Sequence, residues 1–201
     1  MYNFYLGLDL GQAQDYTAIA VVERKGFRYE AKPDEYHIRH LERPKLGTPY
    51  PAIVDRVRQL MTSGPLINRT ALVVDKTGVG APVVDMFRKA GLRPVAITIT
   101  GGNSVGSGDG GYHVPKRDLV TTLQVLFQTG RLKVAAGLPE ARTLVEELLN
   151  FKVKINVKTA HDSYEAWREG IHDDLVLAVA LACWYGERHK KMTPVPKPAG
   201  W

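Results

Sequence analysis

The run Phe4, Tyr5, Leu6, Gly7, Leu8, Asp9, Leu10 is apolar except for one carboxylate, and Gly11 punctuates its end. A run this apolar reads as a strand buried on both faces. Asp9 therefore constrains the fold more than any other residue. A carboxylate inside a buried strand is costly unless it is paired, hydrogen-bonded or bound to a cation.

The segments that follow give that strand its neighbours. Residues 16–23 form a second apolar strand, and Lys25-Gly26 signals a tight hairpin toward a third strand over 36–41. Residues 28–35 fit either an extension of that strand or a loop. Ile53, Val57 and Leu60 recur at helical spacing in a helix predicted over 48–61. A buried strand over 71–75 ends in Asp75. Pro82 then opens a helix over 81–90 that Gly91 closes, and residues 95–100 read as another strand. A β-α-β order of this kind predicts parallel pairing.

Residues 101–111 are glycine-rich and read as a flexible loop. Helices are predicted over 115–129 and 139–150, with a half-exposed strand over 151–157 between them and the last helix. That last helix, over 173–188, is apolar on nearly every face and must be buried. The fold class predicted is α/β. Its mixed central sheet has three antiparallel strands, then parallel strands, with helices on both faces. One domain over 1–190 precedes a Pro-rich disordered tail over 191–201.

Composition narrows the chemistry. The 201 residues carry 27 Lys and Arg against 21 Asp and Glu, a net +6 that suits a polyanionic partner. The lone cysteine, Cys183, excludes an intrachain disulfide framework and a Cys-based zinc site, and reads as core. No apolar run approaches the roughly 18 residues that span a bilayer, and no signal-peptide pattern opens the chain, so neither a membrane nor secretion is expected. No phosphate-binding G-x-x-x-x-G-K-[ST], H-E-x-x-H or G-x-S-x-G occurs. Catalysis falls to carboxylates and a few histidines.

Asp9, Asp75 and the pair Asp173–Asp174 are the candidates. Taken singly, each has a structural explanation: a satisfied strand carboxylate, a strand-end acid capping a loop, and acids that favour a helix N-terminus. Together they read differently, because strand ends of an open α/β sheet converge on one crevice. Acids gathered there repel one another unless divalent cations neutralise them. Oxygen ligands without cysteine favour Mg²⁺ or Mn²⁺ over zinc. Two such ions activate water and stabilise the leaving oxygen in phosphodiester cleavage.

The ordered set Gly7-Leu8-Asp9-Leu10-Gly11, Asp15-Tyr16-Thr17-Ala18, Val73-Val74-Asp75, Gly78-Val79-Gly80 and His172-Asp173-Asp174-Leu175 resembles the nuclease domain of the large terminase subunit of tailed bacteriophages. Val114-Pro115-Lys116-Arg117-Asp118-Leu119 and the run 140–151 extend the resemblance over about 4–187. It implies an RNase H-like fold, shared with RuvC resolvases. It also implies an endonuclease that cuts double-stranded DNA concatemers during headful packaging. On that resemblance Asp9 bridges both metals, Asp75 binds one, and Asp174 binds the other with Asp173 in support. His172 is a candidate for positioning water or substrate.

The implied partners are an ATPase motor domain, a small terminase subunit and a portal, in the cytoplasm of an infected bacterium. No trace of the motor precedes the first strand, so a domain cut from a longer protein and a short separate gene product both fit.

Lys116 and Arg117, in the first turn of a predicted helix, oppose its dipole and are candidate phosphate contacts. Lys152, Lys154 and Lys158, alternating along the predicted strand, are candidates for a DNA-contacting ribbon or a solvated edge. A Holliday-junction resolvase and a non-catalytic DNA-binding accessory are the alternatives. An actin-like ATPase would need about twice this length.

Overall fold

The computed structural model describes residues 2–11, 15–26, 32–78, 80–108, 110–157 and 173–189, with the backbone alone over 151–157. The first strand, β1 (Phe4–Asp9), pairs antiparallel with β2 (Ala18–Lys25), and β2 with β3 (Glu35–Glu42). On its other side β1 runs parallel to β4 (Thr70–Asp75), which runs parallel to β5 (Pro94–Thr100). The mixed sheet read from the sequence is present.

Alternation along the strands sorts their side chains between two cores. Leu6, Leu8, Leu72 and Val74 pack with Ile53 and Val57 of helix α1 (Tyr50–Met61) and with Val83 and Phe87 of α2 (Gly80–Lys89). Tyr5, Ala71 and Val73 face the opposite way. They pack with Leu119 and Leu123 of α3 (Lys116–Gln128), Leu144 of α4 (Ala141–Val157) and the length of α5 (Asp174–Arg188). Helices therefore cover both faces. Asp9 and Asp75 fall on the α5 side by the same alternation.

Helix α5 is buried from Asp174 to Gly186, which its all-round apolarity requires. It lies so close to β1 that a Cβ on Gly7 would overlap the Ala178 carbonyl oxygen. Glycine at position 7 and alanine at 178 and 182 allow that approach. Cys183 is buried in this helix, where desolvation pushes its thiol up.

The structure departs from the sequence reading in three places. Part of the glycine-rich segment is ordered as a hairpin, β6 (Gly106–Gly108) with β7 (Gly111–Pro115), and β7 adds to the sheet parallel to β5. Glycine has weak strand propensity, which hid the pairing. At Gly111, however, a Cβ would overlap the Ala96 carbonyl oxygen, so glycine is what lets β7 join the sheet. At the far edge, the three-residue β8 (Leu132–Val134) pairs parallel with β3. A strand so short leaves no period-2 signal.

The third correction concerns residues 151–157, which continue α4 to Val157 instead of forming a strand. No Gly or Pro interrupts 141–157, and Val and Ile cost a helix only a few tenths of a kcal/mol each. Lys152 and Lys154 therefore do not alternate along a strand. Lys158, His172 and the Pro-rich tail lie outside the described residues. Among the described residues, no helix is long and apolar enough to cross a membrane.

Candidate active site

Parallel pairing of β1 and β4 sets the heart of the site. Leu8 is in register with Val74, and one step further on each strand come Asp9 and Asp75, on the same face at the carboxyl ends. Asp75 is buried, and its Oδ1 accepts the Thr77 N–H at 2.7 Å, which orients the carboxylate in a short turn. Thr77 in turn uses its hydroxyl oxygen to accept the Ile99 N–H at 2.7 Å, tying the turn to β5.

The third corner is the start of α5, where Asp173 is the N-cap residue and Asp174 opens the helix. Asp174 is buried, and its Oδ2 accepts from Arg43 Nη2 at 3.0 Å. Lys116 Nζ, at the start of α3, lies 3.7 Å from Asp173 Oδ2.

These charges act on Asp9 together. Burial, then the negative charges of Asp75, Asp174 and Asp173, hold its carboxyl well above the usual carboxylate range, with Lys116 pulling the other way. Burial lowers the Lys116 ammonium, and Asp173, Asp9 and Asp75 counter it. Lys116 thus faces the acids instead of projecting into solvent. Its neighbour Arg117 donates to the side-chain oxygen of Asn103 at 2.8 Å and to its carbonyl oxygen, fastening the glycine-rich segment to the head of α3.

The four acids singled out in the sequence are therefore brought to one end of the sheet, with Lys116 among them. Two residues of the cluster escaped sequence reading. Glu147 of α4 is buried at 6% exposure, and its Oε2 accepts the Val176 N–H at 3.1 Å. Its Oε1 lies 3.2 Å from Arg43 Nη2. Burial pushes its carboxyl up to about 7, against the pull of the Val176 N–H and Arg43. Its sequence signal was its place three residues after Leu144 and one before Leu148, on the apolar stripe of its helix. Arg43, just beyond β3, carried no such signal. Its guanidinium stacks 4.5 Å over the Tyr16 ring.

Beside the end of β1, Gly11, Asp15, Thr17, Lys45, Thr48 and Tyr50 line an open cleft of about 210 Å³. The cluster offers only hard oxygen donors, a set suited to Mg²⁺ or Mn²⁺, and its mutual repulsion is what a divalent cation would relieve. As the side chains stand, no three His, Cys, Asp or Glu residues among the described residues form a ready-made metal cage. Lys116 and Arg43 supply the balancing charge.

Known structures share this architecture. The large terminase nuclease from thermophilic phage G20c superposes with a TM-score of 0.58 at 22% identity, covering 89% of this chain and 80% of that one. The human cytomegalovirus terminase nuclease domain, soaked with Mn, gives 0.55 at 15% identity over 95% and 85% of the two chains. The large terminase of a second thermophilic bacteriophage gives 0.50 at 10% identity, covering 73% of this chain and 31% of that one. At these identities the likeness shows the fold. No curated protein sequence matches the chain. The model of the terminase RNase H-like domain, in contrast, matches residues 6–184, nearly all of both cores and every acid of the cluster, and the chain belongs to that family.

Proposed function

We propose that this chain is a divalent-metal-dependent endonuclease that hydrolyses double-stranded DNA, the cutting activity of a phage packaging terminase. The observation that carries the proposal is the convergence on Asp9 of the charges of Asp75, Asp173 and Asp174, in a chain of the terminase RNase H-like family. Acids brought this close at one end of a sheet repel one another, and a divalent cation bound among them would relieve that repulsion.

In this reading Asp9 serves both of two ions, Asp75 holds one, and Asp174 holds the other with Asp173 in support. Mg²⁺ or Mn²⁺ bound there supplies Lewis acidity toward the scissile phosphate and lowers the pKa of an attacking water. The hydrogen bond from the Thr77 N–H holds the Asp75 carboxylate in one orientation. Arg43 does the same for Asp174. Lys116 keeps a positive charge beside the acids where a phosphodiester would lie. His172, as a residue positioning water or substrate, remains part of the proposal.

The net charge of +6 supports a DNA partner, held by its backbone. Lys116, Arg117, Lys152, Lys154 and Lys158 are the proposed contacts. An ATPase motor, a small terminase subunit and a portal are the proposed partners in the cytoplasm of the infected bacterium.

The test is cleavage of supercoiled plasmid in Mn²⁺, Mg²⁺ or EDTA, comparing wild type with Asp75→Ala. Metal-dependent nicking and linearisation, lost in the variant and in EDTA, is the expected result. Folded protein that binds DNA and leaves it intact in both metals would overturn the proposal. Cutting confined to four-way junctions would replace it with a resolvase.

A further inference from the structure

The first N–H groups of a helix have no partner within it. An aspartate at the N-cap ordinarily serves the N–H of the second or third helical residue. Asp173 occupies that position at the head of α5, and its side chain makes no capping hydrogen bond. Its Oδ2 lies instead 3.7 Å from Lys116 Nζ, toward the acidic cluster. The third helical residue is Val176, and its N–H is taken by Glu147 Oε2, from a neighbouring helix, at 3.1 Å. The other Glu147 oxygen lies 3.2 Å from the same Arg43 nitrogen that donates to Asp174 at 3.0 Å. One buried carboxylate thus reaches both residues of the Asp173–Asp174 pair, one through the helix end and one through an arginine.

We infer that Glu147 is a positioning residue for the acidic cluster: it caps α5 in place of Asp173, so that Asp173 turns into the site, and it anchors the arginine that orients Asp174. The inference rests on the nuclease reading above and adds a residue to it.

Asp173 and Glu147 then compete for one N–H, and that competition is testable. In Glu147→Ala the Val176 N–H has lost its acceptor, and Asp173 swings back to cap α5. Isothermal titration of Mn²⁺ into DNA-free protein should show an affinity about tenfold lower, the usual scale for losing a residue that orients a ligand. Glu147→Gln keeps an oxygen for Val176 but loses the charge that holds Arg43, so its Mn²⁺ affinity should fall between those of wild type and Glu147→Ala. Asp173→Ala should lower the affinity, and Glu147→Ala added to it should lower it further by less than Glu147→Ala does alone, because the Asp173 part of its effect is already gone and only the Arg43–Asp174 part remains.

Wild-type affinity in Glu147→Ala, or additive losses in the double variant, would overturn the inference while plasmid cleavage by wild type left the nuclease reading standing. Wild type that neither binds Mn²⁺ nor cuts would overturn both. If Glu147→Ala does not fold, Glu147→Asp gives the same comparison, since its shorter side chain cannot span Val176 and Arg43 together.

Discussion

Arg43 donates from Nη2 to Asp174 Oδ2 at 3.0 Å, joining residues 131 positions apart in the chain. The same nitrogen lies 3.2 Å from Glu147, so one guanidinium separates two buried carboxylates that would otherwise face each other. All three side chains are at most 15% exposed, so water screens the group poorly.

Removing that cation leaves two buried acids uncompensated, a change that typically costs roughly 3 kcal/mol or more. Arg43→Met should therefore lower the urea midpoint of metal-free protein at pH 8 with little change in slope. Lowering the pH to about 5.5 should return part of the loss by letting Glu147 protonate. A midpoint equal to that of wild type would mean that the arginine contributes no net stability.

Asp9→Asn removes the charge at the centre of the cluster. Plasmid cutting should disappear while DNA binding persists. Because Asp9 is destabilised by burial and by three like-charged neighbours, the metal-free variant should also be more stable than wild type, by about 1 kcal/mol. Differential scanning calorimetry in EDTA reads the second effect without reference to activity. A lower Tm would contradict the electrostatic account of Asp9.

The pH dependence follows from the same groups. Glu147 is raised to about 7 in the folded protein. An acid with a raised folded pKa adds stability that is complete below its unfolded value and fades as pH rises through the folded one. In EDTA, Tm should therefore fall between about pH 4.5 and 7, with Asp9 acting in the same direction. Mn²⁺ should raise Tm more at pH 8 than at pH 5.5, since protons and metal compete for the same oxygens. A Tm in EDTA that climbs through this window would contradict both assignments.

Gly7 has no room for a side chain, because a Cβ there would overlap the backbone of Ala178. Gly7→Ala should force α5 away from β1 and cost about 3 kcal/mol, at the upper end for overpacking because the obstacle is backbone. The displacement carries Asp174 away from Asp9, so cutting should weaken even at temperatures where the variant stays folded. Thermal unfolding together with cleavage at low temperature checks both.

Much of this molecule was legible before its structure, and the reason is physical. Strands β1 and β4 are buried on both faces, so their apolar runs stand out, and Asp9 and Asp75 stand out within them. Helix α5 announced itself because a helix apolar all round can only be central. Arg43 could not be read, since an arginine past a strand end looks like any solvated cation until α5 folds over it. Glu147 carried a faint signal on an apolar stripe. The β6–β7 hairpin was hidden because glycine serves both loops and close backbone packing. Residues 151–157 misled because β-branched residues alternating with lysines satisfy a strand pattern while a tolerant helix absorbs them.

The sequence positions of the acids carry a consequence in time. Asp9 and Asp75 belong to strands made about a hundred residues before Asp173 and Asp174, which sit on the helix that fills the space against β1. Until α5 has been made and packed against Gly7, the cluster has only two of its four aspartates. The sheet can therefore form before the acids come together, which happens only when α5 docks.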